Sequence, residues 1–228
     1  LRSLGDVYVV APEREQSAVG HALTLHRPLK FANLNKKVYF INGTPTDCVI
    51  LGVNRLLPQK PNIIVSGINH GGNMGDDITY SGTVAAAIEG TFLGIPSIAI
   101  SLVTEPRNNN KKKYSGFQEA ARFAQRLVSM VLKKGLPPDT LLNVNVPDIF
   151  KVKGTRLTRQ GKRAYDNSIQ EMSDPRGRKH YWIGGGTPLW HRGEDTDFEA
   201  VQKGFISVTP VHLDLTNYKA LEYMRKKW

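Results

Sequence analysis

A glycine- and asparagine-rich stretch, Ser66 to Asp77, follows directly after Asn62–Ser66, an apolar run typical of a buried strand. It holds four glycines, and glycine permits the backbone conformations in which successive N–H groups converge on an anion. Asn69 offers a side-chain oxygen of the kind that hard cations prefer. The stretch therefore predicts a ligand-binding loop, with a plain flexible loop as the alternative.

A second candidate is Ser81-Gly82-Thr83, which opens an alanine-rich segment predicted to be a helix over Thr83–Phe92. The free N–H groups at a helix N-terminus, together with the helix dipole, bind phosphate well. Ordinary capping by Ser81 or Thr83 requires the same residue types. Because the glycine-rich loop precedes it, the segment favours a phosphate site.

The third candidate, Ala11 to His21, follows the apolar run Val7–Ala11. A loop after a parallel strand lies where α/β proteins place ligands, so Ser17 and His21 could face a substrate there. The alternatives are a hydroxyl that satisfies the local backbone and a packed or exposed histidine.

At the end of the Ser66–Asp77 stretch, the adjacent Asp76 and Asp77 are more typical of solvated or capping carboxylates than of a metal pair.

Several other functional classes lack their motifs. The sequence has no P-loop, no Gly-x-Gly-x-x-Gly after a strand, no Gly-x-Ser-x-Gly elbow and no metal-type spacing among its six histidines. The single cysteine, Cys48, excludes an internal disulfide framework and cysteine-rich zinc or iron–sulfur sites. One cysteine and no visible signal peptide favour a reducing, cytoplasmic compartment. The sequence contains no unbroken apolar run of 18 residues, so no membrane-spanning helix is predicted.

The charge balance favours an anionic ligand. The 228-residue chain carries 31 Lys and Arg against 20 Asp and Glu, a net charge of +11. Residues 151–192 alone hold 10 basic and 3 acidic residues. Phosphate, nucleotide, polyphosphate or nucleic acid would suit this excess, and a solvated basic face would produce it equally well.

Alternating strands and helices must position these residues. Strands are predicted at Val7–Ala11, Lys37–Ile41, Asn62–Ser66, Ser97–Ser101 and Leu141–Val146. A first helix is predicted to start within Asn42–Asp47, with Thr44 as N-cap and Pro45 as its first residue, and to continue over Cys48–Leu57. Further helices are predicted at Thr83–Phe92 and Gly116–Lys134, and loops at Gly67–Tyr80 and 105–116. This alternation indicates an α/β fold with a mostly parallel sheet and helices on both faces.

From about residue 151 the pattern changes. Thr155–Arg159, His180–Ile183 and Phe205–Thr209 are predicted strands without intervening helices, the second ending at the glycine run 184–186, and Leu213–Trp228 is a final helix capped by Asp214 or Thr216. We therefore predict a core at 1–150 and a β-hairpin and helix extension at 151–228.

The first residues, Leu1–Gly5, read as the last turn of an amphipathic helix with Gly5 just beyond it. A helix that feeds a parallel strand usually has an earlier strand before it. An upstream strand is therefore expected.

Long motifs resemble the SurE family, the survival-protein nucleotidases. They include VVAPEREQSAVGHALTLHRPL at 9–29, GTPTDCV at 43–49 and SGINHGGNMGDDITYSGTVAAAIEG at 66–90. Further matches are GIPSIAIS at 94–101, LNVNVP at 142–147, TRQGKRAY at 158–165 and SVTPVHLDLT at 207–216. The resemblance runs in the right order along essentially the whole chain.

The resemblance implies a Rossmann-like, divalent-metal-dependent phosphatase that hydrolyses nucleoside 5′- and 3′-monophosphates and short polyphosphate. It implies that Mg²⁺ or Mn²⁺ is held by Ser17, by Asn69 and by two adjacent aspartates expected roughly twenty residues before Leu1. Substrate and phosphate are expected to contact His21, Gly71, Gly72, Asn73, Ser81, Gly82 and Thr83. No general base or nucleophile is assigned, and the C-terminal extension is expected to join subunits into a dimer or tetramer.

Two rival functions come from the residues alone. The α/β alternation suggests a dinucleotide-binding oxidoreductase, and the net charge of +11 suggests a basic nucleic-acid-binding protein. The resemblance favours neither, and it predicts no membrane partner and no specific nucleic acid.

Overall fold

The fold combines one five-stranded sheet, one three-stranded sheet and five helices within the described residues, which are 1–104, 116–164, 169–183, 189–191 and 193–228 of a computed structural model. In chain order the elements are β1 (Val9–Pro12), β2 (Phe31–Asn35), β3 (Val38–Ile41), α1 (Pro45–Leu51), β4 (Ile64–His70), α2 (Gly82–Phe92), β5 (Ser97–Val103), α3 (Gly116–Lys134), β6 (Thr140–Pro147), β7 (Thr155–Leu157), β8 (Arg163–Ala164), β9 (Ile169–Ser173), β10 (Lys179–Ile183), β11 (Leu189–Trp190), α4 (Asp197–Gln202), β12 (Ile206–His212) and α5 (Tyr218–Lys227).

The five-stranded sheet has the order β4-β5-β6-β12-β7. Strands β4, β5 and β6 are parallel, β12 runs antiparallel to β6, and β7 is parallel to β12. Helix α3 packs on one face and α2 on the other. The central strands therefore have both faces covered, which explains why nearly all residues of β5 and β6 are buried and confirms the predicted α/β class.

The two faces of the central strands differ in chemistry. Leu142, Val144 and Val146 pack with α3 in the main apolar core. The alternate residues of β6 include Asn143 and Asn145, both fully buried. Together with buried hydroxyls on neighbouring elements they form what we call the polar layer, which comprises Ser101, Asn143, Asn145, Thr158, Ser207 and Thr209.

The three-stranded sheet, in the order β1-β3-β2, is separated from β4 by a groove with a volume of about 1130 Å³. Within the described part of the chain, β1 pairs only with β3 and β4 only with β5, so one edge of each sheet faces the groove. Apolar side chains from β4 and from both helical layers line it, among them Val49, Val65, Ala121 and Val128. The groove thus presents apolar side chains between two sheet edges that have no strand partner in the described residues.

Helix starts follow the predicted chemistry. Thr44 caps α1 in a reciprocal capping box with Asp47, and Pro45 is the first helical residue. Ser81 caps α2 by accepting a hydrogen bond from the backbone N–H of Val84. Both helices therefore begin where their hydroxyl-bearing residues place them, although α1 ends as an α-helix at Leu51 and continues as a π-helical turn at Gly52–Leu56.

Several predicted boundaries were wrong. The predicted loop 67–80 begins inside β4, which extends to His70, and contains a 3₁₀ turn at Gly75–Thr79. Helix α4 interrupts the region predicted to lack helices, and α5 begins after Asn217, whose side chain caps it instead of Asp214 or Thr216. Residues 1–4 form a turn that is not assigned to a helix.

The C-terminal region is divided between the main sheet and small additions. Strands β7 and β12 lie in the five-stranded sheet, whereas β9 and β10 form a separate two-stranded hairpin. The division at residue 150 stays a prediction. Residues 105–115 of the predicted polar loop and the predicted glycine run 184–186 lie outside the described residues. No described helix combines the length and hydrophobicity needed to cross a bilayer.

Candidate functional site

The loop that follows β4 is fixed to the sheet through its backbone. The N–H of Gly71 donates to the carbonyl oxygen of Leu102 at 2.9 Å. The N–H of Asn73 donates to Oδ1 of Asn145, and the carbonyl oxygen of Asn73 accepts from Nδ2 of both Asn143 and Asn145, each at 2.9 Å. The loop therefore rests on the polar layer, which supplies partners for backbone groups that are buried away from water.

The side chain of Asn73 also bonds to the polar layer. Its Nδ2 donates to Oγ of Ser101 at 2.6 Å, and the residue is 8% exposed. The N–H groups of Gly71 and Asn73 are thus used inside the fold rather than converging on open space. The predicted phosphate contacts of Gly71, Gly72 and Asn73 stay predictions, and the contacts seen give Asn73 an anchoring role.

Gly75 is held by side chains from much later in the chain. Its N–H donates to Oδ2 of Asp197 at 2.8 Å, and its carbonyl oxygen accepts from Nε2 of Gln160 at 3.0 Å. Asp197 is fully buried, and burial raises the pKa of its carboxyl, an effect that hydrogen bonds from the backbone N–H groups of Gly75, Phe198 and Gly161 counter in part. A carboxylate so placed fixes the loop at a second point.

The adjacent Asp76 and Asp77 interact with one arginine. Nη1 of Arg163 lies 2.7 Å from each carboxylate oxygen of Asp77, and the backbone N–H of Arg163 donates to Oδ2 of Asp76 at 3.0 Å. Both carboxylates thus bond Arg163, and the interpretation that the pair does not chelate a metal stays a prediction.

Asn69 lies near the end of β4, beside the site loop. Its Nδ2 donates to the carbonyl oxygen of Gly71 at 2.9 Å, and its Oδ1 accepts no hydrogen bond from the described residues. Two residues earlier, Gly67 has φ +118°, and a Cβ there would collide with the carbonyl oxygen of Ile100. The close approach of β4 to β5 therefore requires glycine just before the residue predicted to bind a cation.

The N-terminus of α2 meets the loop that carries Ser17. A Cβ on Gly82 would lie 3.2 Å from Cγ1 of Val19 and 3.4 Å from the carbonyl oxygen of Gln16. The N–H of Gly20 donates to the carbonyl oxygen of Tyr80 at 2.9 Å. The structure thus brings together two of the three candidate segments. The backbone N–H groups of Gly82 and Thr83 have no partner among the described contacts, as expected for the first turn of a helix.

Ser17 and His21 occupy different parts of that meeting point. Oγ of Ser17 donates to Oε1 of Glu15 at 2.8 Å in an exposed position. Nε2 of His21 lies 2.8 Å from Oε2 of Glu89, and its ring packs against Phe92, both in the later turns of α2. His21 therefore lies beside the body of α2 rather than at its N-terminus, and its predicted substrate contact stays a prediction.

Two residues that the family resemblance assigns to a divalent cation, Ser17 and Asn69, lie in the described part of the chain. Oδ1 of Asn69, with no hydrogen-bond donor, and Oγ of Ser17 are hard oxygen donors of the right type. Both are neutral, and no group of three or more His, Cys, Asp or Glu residues with metal-binding geometry occurs in the described ranges. Since Mg²⁺ is usually bound through at least one carboxylate, the set fits the predicted cation in chemistry and is incomplete in charge.

The residues that anchor the loop were missed from the sequence. Asn143 and Asn145 alternate with apolar residues in LNVNV, a pattern that signals a polar face on a buried strand. Asp197 follows Thr196, which caps α4 through its hydroxyl. The sequence signal for Asp197 was a short helix with an acidic first turn. That signal does not identify Gly75, which the Asp197 carboxylate bonds across 122 residues.

Comparisons with known proteins point to one family. The family model described as "Survival protein SurE" matches residues 1–167. The chain is 55% identical to 5′-nucleotidase SurE of Geobacter metallireducens, over 100% of this chain and 88% of that protein. It is 54% identical to 5′-nucleotidase SurE of Geobacter sulfurreducens, over 99% of this chain and 84% of that protein.

A solved structure extends the similarity to the fold. The crystal structure of SurE protein from Aquifex aeolicus superposes with a TM-score of 0.82 at 46% sequence identity, covering 99% of this chain and 90% of that one. The match to the family model and the identity to relatives along the full chain lead to one assignment: the chain belongs to the SurE family.

Proposed function

We propose that this protein is a phosphatase that hydrolyses nucleoside 5′-monophosphates. The observation that carries the proposal is the identity of 55% over the whole chain to a protein named 5′-nucleotidase SurE. The meeting of the Ser17 loop with the N-terminus of α2 supports it, because the N–H groups of Gly82 and Thr83 have no partner among the described residues and a helix N-terminus binds phosphate well.

The residues of this chain would act by binding and orientation. Gly82 and Thr83 would donate hydrogen bonds to phosphate oxygens at the positive end of the helix dipole. The anchored loop would hold Asn69 in a fixed position relative to that phosphate. Ser17 and Asn69 would contribute oxygen ligands to Mg²⁺ or Mn²⁺, together with carboxylates expected ahead of Leu1. When bound, such a cation supplies charge for the phosphoryl oxygens and acidifies a bound water.

The finer parts of the proposal concern substrate range and assembly. Hydrolysis of 3′-monophosphates and short polyphosphate is proposed from the family resemblance, and a cytoplasmic location from the single cysteine. Assembly into a dimer or tetramer is supported by large apolar side chains that the hairpin β9–β10 and the C-terminal end leave exposed, among them Trp182, Ile183, Leu215 and Trp228. Exposed aromatic and aliphatic residues beside charged ones suit a subunit interface.

The test measures phosphate release from nucleoside 5′- and 3′-monophosphates with Mn²⁺ or Mg²⁺, before and after chelator is added. It compares the 228-residue chain with an extended protein, in which the N-terminal segment of the Geobacter metallireducens relative precedes Leu1. We expect chelator-sensitive release by the extended protein. No release with any divalent metal, together with tight and salt-sensitive DNA binding, would overturn the proposal in favour of a nucleic-acid-binding function.

A further inference from the structure

Both backbone groups of one loop glycine are bound by side chains of the C-terminal half. The N–H of Gly75 is bound by Asp197 and its carbonyl oxygen by Gln160. Gly75 has φ +53°, and a Cβ there would lie 2.6 Å from the ring of Trp190. Its peptide groups are therefore enclosed by segments that begin 85 residues later in the chain.

Asp197 ties three segments together. Besides Gly75, its carboxylate accepts hydrogen bonds from the backbone N–H groups of Gly161 at 2.9 Å and Phe198 at 2.8 Å. The ring of Phe198 stacks on that of Trp190, with centroids 4.6 Å apart. A fully buried carboxylate with three backbone donors is a strong restraint, because losing it would leave those N–H groups without partners.

The restrained glycine lies between the two candidate ligand groups. The chain runs from Asn69 at the end of β4, through Gly75, to Ser81 and Gly82 at the start of α2. The position of Gly75 thus affects the spacing between the predicted cation ligand and the predicted phosphate donors. In phosphoryl transfer the protein contributes chiefly positioning and charge, so a displaced loop would slow the reaction.

We propose that Asp197 and Gln160 are positioning residues for phosphate ester hydrolysis, acting through the peptide groups of Gly75. This inference rests on the proposed function. It assigns a part in the reaction to the segments that carry Gln160 and Asp197.

The test uses Asp197→Asn and Gln160→Met, the latter removing the amide with little change in length. The matched control is Asp174→Asn, because the Asp174 carboxylate also accepts backbone N–H groups, those of Arg176 and Arg178, in the exposed turn of the β9–β10 hairpin. Amide hydrogen exchange at Gly75 and in β5 is measured in the 228-residue chain. The values of kcat and KM for AMP are measured in the extended protein, per folded molecule counted by circular dichroism.

We expect exchange at Gly75 to accelerate about tenfold or more in both variants while exchange in β5 is unchanged, because the loss is local. We expect kcat to fall about tenfold or more, with KM changed by less than about threefold, as for a loss of positioning. Should Asp197→Asn fail to fold, Gln160→Met decides the question.

Unchanged exchange at Gly75 would overturn the restraint itself. Faster exchange with an unchanged kcat would show that the restraint is structural and has no part in the reaction. If the unmodified extended protein releases no phosphate, the proposed function fails while the exchange data still decide whether Asp197 and Gln160 hold Gly75. In that case the assignment to hydrolysis falls with the function.

Discussion

Asn145 pairs with the backbone of Asn73 through both ends of its side-chain amide. Its Oδ1 accepts from the N–H of Asn73 and its Nδ2 donates to the carbonyl oxygen, both at 2.9 Å. This is the hydrogen-bonding pattern of a strand neighbour, here supplied by a side chain. A fully buried asparagine of β6 thus takes the place of a strand neighbour for the backbone of Asn73.

Replacing Asn145 by alanine should therefore be costly. It removes two buried hydrogen bonds and leaves the N–H of Asn73 unpaired, so we expect a loss of about 2–4 kcal/mol in the free energy of unfolding. Denaturant titration measures this. The control is Asn54→Ala, since within the described residues the exposed amide of Asn54 bonds the carbonyl oxygen of Ile50 alone, and it should cost about 0.5 kcal/mol or less. Equal costs for the two variants would contradict the anchoring role.

Asn69→Ala should weaken divalent-metal binding by the extended protein and reduce phosphate release by about tenfold or more. Its thermal unfolding without metal should change little, because the only side-chain bonds seen are to nearby carbonyl oxygens. Ser17→Ala should act in the same direction and more mildly, since water can replace a neutral hydroxyl. Calorimetric titration with Mn²⁺ checks both variants, and unaltered affinity in Asn69→Ala would refute its ligand role.

The aspartate pair provides a discriminating control for that titration. Asp77→Asn should leave the affinity for Mn²⁺ unchanged, because the Asp77 carboxylate is already paired with Arg163 at 2.7 Å. A loss of affinity as large as that in Asn69→Ala would instead make Asp77 a metal ligand.

The buried thiol of Cys48, which lines the groove, makes the stability of the fold depend on pH. Burial chiefly, and the neighbouring Asp47 carboxylate, raise the pKa of its thiol to about 12 from an ordinary value of 9.0. The folded chain should therefore be alkylated slowly at pH 8, and the unfolded chain quickly. Because the thiol ionises first in the unfolded state, stability should fall as the pH rises from about 9 towards 12. Cys48→Ala should remove that part of the pH dependence, and an identical pH profile in this variant would contradict the raised pKa of the Cys48 thiol.

Filling the groove should stabilise the protein. We expect the extended protein to unfold at least about 5 °C above the 228-residue chain in a thermal scan, because an added apolar strand would cover Val49, Val65 and their neighbours and pair with β1 and β4. The control carries aspartates in place of the apolar residues of the added strand.

We also expect the chain that starts at Leu1 to lack metal-dependent phosphatase activity. Full activity from it would show that the upstream aspartate pair is misplaced.

Local chemistry made some elements predictable. Helix α3 spans Gly116–Lys134 as predicted, because its apolar residues recur with helical spacing. The start of α1 follows from Thr44 and Pro45. Strand β5 was predicted from the apolar run of a strand buried on both faces, although it continues to Val103.

Tertiary contacts determined what the sequence left open. Gly67–His70 has loop-like residues, yet it continues β4 because it pairs with the buried strand β5 across an irregularity in register. Strand β2 was not predicted, since Phe31–Asn35 is exposed throughout and is stabilised by pairing with β3. In the site, the candidate loops were recognised from their glycines, whereas Asn145 and Asp197 act across 72 and 122 residues and left no local pattern.

The separation of the two sheets also bears on how cooperatively the molecule unfolds. The β1-β3-β2 sheet shares no strand pairing with the β4-β5-β6-β12-β7 sheet in the described ranges. The two are connected through helix packing and through bonds such as that between Gly20 and Tyr80. Because main-chain pairing makes neighbouring strands open as one unit, we expect the smaller sheet, whose strand β2 is exposed throughout, to open separately and at a lower free-energy cost. Heat would then melt the molecule in two stages, and the segment carrying Ser17 would lose its order before the strand carrying Asn69.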